Sequence, residues 1–180
     1  MPNVLAERLS AWGFSWAGLR DNRRGEWWLI AQMALILAHL LPASPSPVSL
    51  GLHWPLSLRL GGLALFGLGL VLAGQGAVNL GASLSPLPEP MPAAALVTTG
   101  AYGRCRHPLY QSLILCSLGV TLALGSLLHL ALLLGLVVVL GFKARREESR
   151  LCSLHQEYGD YRATTPTILP GLPWLDWRSD

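Results

Sequence analysis

Four apolar runs, separated by short polar or proline-rich breaks, set the outline of this chain. Trp27 and Trp28 open the first, which continues through Leu29 to Leu41 and stops at Pro42. The second extends from Leu56 to about Leu80, and Leu109 to Phe142 hold two more, interrupted at Gly125-Ser126. As one helix, the roughly 34 residues from Leu109 to Phe142 would rise about 50 Å, well beyond a hydrocarbon core of about 30 Å, so two shorter antiparallel helices fit better. The pattern predicts an all-α integral membrane protein of about four transmembrane helices, the last two a tight helical hairpin. Residues 1–25 are expected to form a cytoplasmic interfacial arm and 26–142 a four-span membrane domain with a proline-rich cytoplasmic loop at 81–107. Residues 143–180 should give a cytoplasmic helix extension and an interfacial tail. In the second run Gly69, Ala73, Ala77 and Gly81 recur four apart, which predicts a nearly bare helix face for close packing.

Composition places these helices in lipid rather than in a soluble core: 52% of residues are hydrophobic, 13% are charged, and the mean hydropathy is +0.44. A net charge of +3 raises nucleic acid as a partner, but the basic residues lie in the tails and one loop, without a basic face interleaved with aromatics. They answer better to the positive-inside rule. Arg59 is the only one of the 13 Lys and Arg that falls near the non-cytoplasmic end of a span, so both termini are expected inside and the chain multi-pass, in the inner membrane if bacterial. The first 25 residues lack an apolar core before a small-residue cleavage site and are not expected to be a cleavable signal. Gly67-Leu68-Gly69 has no strand before it and is not a dinucleotide fingerprint. Three cysteines are too few for a disulfide framework and read as free thiols. No cluster of His, Cys, Asp and Glu has metal-ligand spacing, so no metal is expected.

The chemistry gathers at the two ends of the predicted hairpin. Arg106-His107-Pro108-Leu109-Tyr110 stands at its mouth and Lys143-Ala144-Arg145-Arg146-Glu147-Glu148 at its exit, which brings two charged clusters to one membrane surface. Upstream, Ser85-Pro86-Leu87-Pro88-Glu89-Pro90-Met91-Pro92 cannot continue a helix and forms a strap. Downstream, a turn is expected at Gly159, followed by Tyr161 and Arg162. Each residue also has a plainer reading: Arg106 as a topology marker, His107 and Pro108 as a helix start, Tyr110 as an interfacial aromatic, and Tyr158 and Tyr161 as an interfacial tail. Glu147 and Glu148 have no basic residue four positions after them on the helix, and adjacent residues point about 100° apart, so one is expected to face the site and the other solvent. His39 is read as bonded to a neighbouring helix.

Taken in order, the Arg-His-Pro segment, the hairpin, Glu147-Glu148, Tyr158, Tyr161 and Pro166 resemble the isoprenylcysteine carboxyl methyltransferase and phospholipid methyltransferase superfamily over roughly residues 79–173. The chain departs from that pattern at Ala101, at Gly103-Arg104-Cys105 and at Ser112. The resemblance implies S-adenosylmethionine as cofactor, bound at the cytoplasmic ends of the last spans, with a lipophilic or prenylated acceptor entering from the bilayer. The cofactor-binding residues would be Arg106, His107, Tyr110, Glu147, Glu148, Tyr158 and Tyr161. Arg106 and His107 suit its carboxylate, a glutamate its amino group or ribose, and Tyr110 its adenine or sulfonium. A carboxylate acceptor fits best and would need a cation, for which Arg146 and Arg150, with Arg145, are candidates. A phospholipid amine or a small thiol is the alternative acceptor. Membrane reductases using a nicotinamide cofactor share a similar Arg-His-Pro segment, and a non-enzymatic scaffold is the third class.

Overall fold

The computed structural model describes residues 16–22, 24–85, 87 and 95–178. Residues 1–15 of the expected arm and most of the proline-rich strap lie outside the described residues. The α-helices are α1 (Trp16–Asp21), α2 (Glu26–Ala38), α3 (Leu56–Leu80), α4 (Pro108–Leu124), α5 (Leu127–Leu154) and α6 (Tyr158–Thr164). The described residues contain no strand. Among the described residues two helices are long and apolar enough to cross a membrane: α3 with 25 residues and α5 with 28. The apolar helices α2 and α4 are shorter, at 13 and 17 residues. On α3 the side chains of Leu60, Leu63, Leu68, Leu70, Val71 and Val78 are exposed, as a helix bathed in hydrocarbon requires.

The first apolar run folds as helix only to Ala38, short of Leu41. Leu41 precedes Pro42, whose ring disfavours helical backbone in the residue before it, and Leu40 and Leu41 close instead as a turn. The second run becomes helix over Leu56–Leu80, the expected span. Its buried glycines are not the series four apart but Gly62, Gly69 and Gly76, seven apart. A Cβ on Gly62 would lie 2.5 Å from the Gly119 oxygen, and one on Gly69 would lie 2.5 Å from Cys116 Sγ and 2.9 Å from the Ser112 oxygen. Two helical turns separate these positions, so they form one seam along which α3 and α4 touch backbone to backbone. Ala73 and Ala77 stand beside that seam, half-buried.

The hairpin turns at Gly125, whose φ of 60° suits glycine, and a Cβ there would strike the Trp54 ring at 2.5 Å. Trp54 Nε1 in turn donates to the Leu122 carbonyl at 2.7 Å, satisfying an end group of α4. On the other side Ser44 N donates to Ser126 Oγ at 3.0 Å and Leu128 N donates to the Ser44 carbonyl at 2.9 Å. Polar side chains tie α2 to this pair of helices. His39 Nδ1 donates to the Leu35 carbonyl at 2.8 Å, which in the neutral ring leaves Nε2 to accept from Ser117 Oγ at 2.5 Å. His129 Nε2 donates to the His39 carbonyl at 3.3 Å. The core lies between α4, α5 and the C-terminal tail: Ile114, Leu133, Leu136, Leu140 and Ala144 pack with Ile168, Leu175 and Trp177. Gly159 belongs to α6, and the turn expected there falls earlier, at His155–Glu157, where α5 ends.

The glycine seam predicts that Gly69→Leu lowers thermal stability in detergent by about 1–3 kcal/mol, since the Cys116 sulfur and, behind it, the Ser112 and Cys116 backbone block the new atoms. Gly67→Leu, with open space around it, should leave the melting temperature unchanged. Equal effects at the two positions would contradict the seam.

Candidate functional site

His107 is the N-cap of α4 and Pro108 its first helical residue, where the missing proline N–H costs no helical bond. Arg106 N donates to the Pro166 carbonyl at 2.8 Å and His107 N to the Thr167 carbonyl at 3.0 Å, so the start of α4 is laced to the tail. The Arg106 side chain then turns inward and is buried. Its Nε donates to Glu148 Oε1 at 2.9 Å and its Nη2 to Glu148 Oε2 at 3.3 Å. Nη1 reaches the carbonyls of Arg162 and Thr165, and Nη2 reaches Thr167 Oγ1 and the Trp177 carbonyl. Guanidinium has five N–H groups, and this one meets acceptors at every nitrogen. Arg106 therefore has no donor left for a cofactor carboxylate, the role first expected of it.

The neighbouring side chains take their places from this knot. His107 Nε2 donates to Glu148 Oε1 at 3.0 Å, and its Nδ1 is 3.7 Å from Glu147 Oε2. Trp177 Nε1 donates to Glu148 Oε2 at 2.8 Å. The Tyr110 ring stacks on His107 with centroids 5.1 Å apart, and its hydroxyl donates to Glu147 Oε2 at 2.7 Å. Behind Tyr110 the buried Lys143 puts Nζ 5.2 Å from the ring centroid and donates to Gln32 Oε1 of α2 at 2.6 Å. Of the paired glutamates, Glu147 faces the cavity described next, whereas Glu148 turns into the protein and not, as expected, to solvent.

An open cavity of about 800 Å³, mouth included, lies between the end of α3, the start of α4, the last turns of α5 and α6. Its polar wall carries Tyr102, His107, Tyr110, Glu147, Tyr158 and Tyr161. Leu80, Leu87, Leu96, Leu109 and Leu151 form an apolar wall. Tyr161 donates its hydroxyl to the Tyr102 carbonyl at 2.6 Å, whereas the buried Tyr158 hydroxyl has no partner among the described residues. Burial, reinforced by the nearby Glu147 and Glu148 carboxylates, pushes the Tyr102 and Tyr158 phenols well above the usual range. Burial also raises Tyr161, next to Cys105. All three stay neutral at physiological pH. Burial pushes the Cys105 thiol up to about 11, so Cys105 stays protonated as a buried tie whose Sγ–H donates to the Thr167 carbonyl at 3.1 Å.

The structure thus brings together His107, Tyr110, Glu147, Tyr158 and Tyr161 on one cavity that Arg106 also borders, with Glu148 beneath it. Arg146 and Arg150 are not brought there. Arg146 Nη2 approaches the Asn22 carbonyl at 3.5 Å, Arg150 is exposed, and Arg145 lies over the rings of Trp174 and Trp177, at 4.8 and 4.4 Å from their centroids. On a helix, positions 146 and 150 fall to one side of the line 147–151 that borders the cavity. Trp177 and Thr167, which fix Glu148 and Arg106, gave no signal in sequence: Trp177 lies 71 residues from Arg106, within the stretch expected as an interfacial tail. Ser112, a departure from the family pattern, turns its hydroxyl back to the Leu109 carbonyl at 2.7 Å and leaves the seam with α3 intact.

Comparison with known proteins bears on this arrangement. The profile of the phospholipid methyltransferase family matches residues 58–159, from the start of α3 to the start of α6. The chain belongs to the phospholipid methyltransferase family. Family members are membrane-bound methyltransferases that use S-adenosylmethionine. The chain is 38% identical over 82 residues to the nickel-cobalt-cadmium resistance protein NccN of Alcaligenes xylosoxydans xylosoxydans, covering 43% of this chain and 37% of that protein. It is 36% identical over 78 residues to the protein-S-isoprenylcysteine O-methyltransferase of Mus musculus, covering 42% of this chain and 27% of that one. The matched stretch spans about a third of the length of these curated relatives.

If Arg106 and Glu148 hold the tail, Glu148→Gln should destabilise the fold by about 3–5 kcal/mol, because it leaves a buried guanidinium without its counter-charge. Hydrogen exchange of residues 165–177 should accelerate in that variant and stay unchanged in Arg150→Ala. Unaltered exchange in Glu148→Gln would dissolve the link between knot and tail.

Proposed function

We propose that this chain is an S-adenosylmethionine-dependent membrane methyltransferase with four spans and both termini cytoplasmic, acting on a lipophilic acceptor that reaches the cavity from the bilayer. The carrying observation is the cavity itself: a carboxylate, an unpartnered buried phenol and aromatic faces stand opposite an apolar wall at the end of two apolar helices. That donor set fits the cofactor. Glu147 would accept from its amino group, Tyr158 would donate to its carboxylate or ribose, and Tyr102, Tyr110 and Tyr161 would flank adenine or sulfonium. When bound, the cofactor supplies an electrophilic methyl group on a sulfonium. The protein's own part is to orient the nucleophile, to keep water from the cavity and to hold Glu147 ready between Tyr110 and His107.

The acceptor class follows from charge. Among the described Lys and Arg residues Arg106 alone borders the cavity, and its donors are already engaged, so an anionic acceptor finds no guanidinium there. A lipophilic amine or thiol, entering neutral beside Leu80, Leu109 and Leu151, suits these walls better, with Glu147 available to receive a proton. The similarity to an isoprenylcysteine methyltransferase favours a prenylated carboxylate as the second reading, and His107 would then be the residue that faces it.

Calorimetry with S-adenosylhomocysteine tests the cofactor site. Glu147→Gln should weaken binding by about 1.5–3 kcal/mol, roughly ten- to a hundredfold, and Tyr158→Phe by about 0.5–1.5 kcal/mol. Arg150→Ala should bind as the wild type does. No binding by the wild type, or losses at Arg150 as large as at Glu147, would refute the site. For the acceptor, prenyl and saturated chains of matched hydrophobicity are compared with amine, thiol and carboxylate heads at equal membrane concentration. Turnover of the carboxylate alone would reject the neutral-acceptor reading.

A further inference from the structure

The 3-10 turn Gly100–Gly103 separates two spaces. Tyr102 borders the cavity just described, while Gly100, Ala101 and the following Arg104 border a second, open groove on the flank of α3. This groove encloses about 1000 Å³, including the space open to its surroundings. Its floor is apolar, formed by Leu70, Val71, Gly74 and Val78, and from Leu70 to Val78 it runs about 12 Å along the helix. At its cytoplasmic end the floor meets a guanidinium. Arg104 Nη2 donates to Gln75 Oε1 at 3.2 Å, which holds the exposed cation over the rim, and its other N–H groups meet no acceptor among the described residues.

Gly74 makes the groove more than a surface accident. Glycine weakens a helix interior, and the glycines of α3 that face α4 answer to contact with it, Gly62 and Gly69 with its backbone and Gly76 with Pro108 and Leu109. Gly74 is not: a Cβ at this position would meet nothing within 4 Å. The absence of a side chain there leaves the floor of the groove open. No carboxylate stands among its lining residues, so a ligand's cationic head would have no counter-charge, whereas a phosphate would have Arg104.

We propose that this groove seats one anionic phospholipid of the cytoplasmic leaflet, with its phosphate on Arg104 and an acyl chain along Leu70, Gly74 and Val78. The leaflet rests on the topology of the reading above; the binding itself does not depend on methyl transfer. Free phosphate would use the cation but not the apolar floor, and a zwitterionic lipid would add a positive charge that no carboxylate among the described lining residues receives. The lipid would also brace the catalytic side of the turn. Ala101 N donates to Asn79 Oδ1 at 2.8 Å, so the turn that carries Tyr102 is pinned to the helix whose flank the lipid covers.

Native mass spectrometry of the delipidated full chain, titrated with phosphatidylglycerol or phosphatidylcholine of identical chains, tests this. The wild type should retain one phosphatidylglycerol about tenfold more tightly than phosphatidylcholine. Arg104→Gln should abolish that preference, and Gly74→Leu should lower affinity for both lipids about tenfold by filling open space. Binding of S-adenosylhomocysteine, measured in each variant, reports separately on the cavity. Equal wild-type affinities, a preference that survives Arg104→Gln, or binding untouched by Gly74→Leu would each overturn the proposal. So would a dimer of the delipidated chain that Gly74→Leu disrupts, since the groove would then be a protein interface.

Discussion

A guanidinium buried at the edge of the apolar helices must find an acceptor for every N–H or leave the interior, because no water is at hand to take its place. Arg106 meets that demand with the Glu148 carboxylate, the Thr167 hydroxyl and the carbonyls of Arg162, Thr165 and Trp177. Those acceptors come from α5, α6 and the tail, so satisfying one side chain fixes three elements relative to the start of α4. His107, next in the chain, inherits its position, and Tyr110, one helical turn further, stacks on it. The cavity is a consequence of this arrangement. Its wall is whatever faces outward once Arg106 and Glu148 have closed on each other.

The same pairing sets the charge of the site. Arg106 and Glu148 neutralise one another beneath the surface, which leaves Glu147 as the carboxylate that meets the cavity, steadied by the Tyr110 hydroxyl and flanked by His107. Lys143 stands on the far side of the Tyr110 ring, tied to Gln32, and so balances charge without entering the cavity. Around them the phenols of Tyr102, Tyr158 and Tyr161 are kept neutral by burial and remain donors. A surface of one carboxylate, neutral phenols and aromatic faces suits a cationic, aromatic ligand such as the cofactor of this family better than an anionic one.

Helix packing carries the site to the right place. Gly62, Gly69 and Gly76 let α3 lie directly on α4, and Gly125, held under Trp54, returns the chain so that Glu147 and Glu148 come back to the level of Arg106. Along α3 the glycines divide by function. Those seven apart along the seam admit the backbone of α4, whereas Gly67 and Gly74 face outward into open space. A helix so little covered by its own protein leaves an apolar flank exposed, and the proposed phospholipid would take its head-group preference from Arg104 at the end of that flank.

The sequence by itself determined the apolar spans, the hairpin and the meeting of Arg106-His107 with Glu147-Glu148, because these follow from hydropathy, from the reach of a helix and from turn chemistry at Gly125, all local properties. It also carried the family, through the order of its motifs. Three things needed the tertiary structure. Which face of α3 packs could not be read from spacing, since small residues four apart and glycines seven apart are both present and only the partner helix selects between them. Arg106 looked like a ligand for a carboxylate because its own partners, Thr167 and Trp177, are brought to it from some 60 and 70 residues away. Arg146 and Arg150 were expected beside Glu147 as cations for an acceptor, yet a rotation of about 100° per residue on a rigid helix sends neighbours to different surroundings. Composition and local periodicity fix what a segment can be; which of its side chains find partners is decided when distant segments compete for the same buried charge.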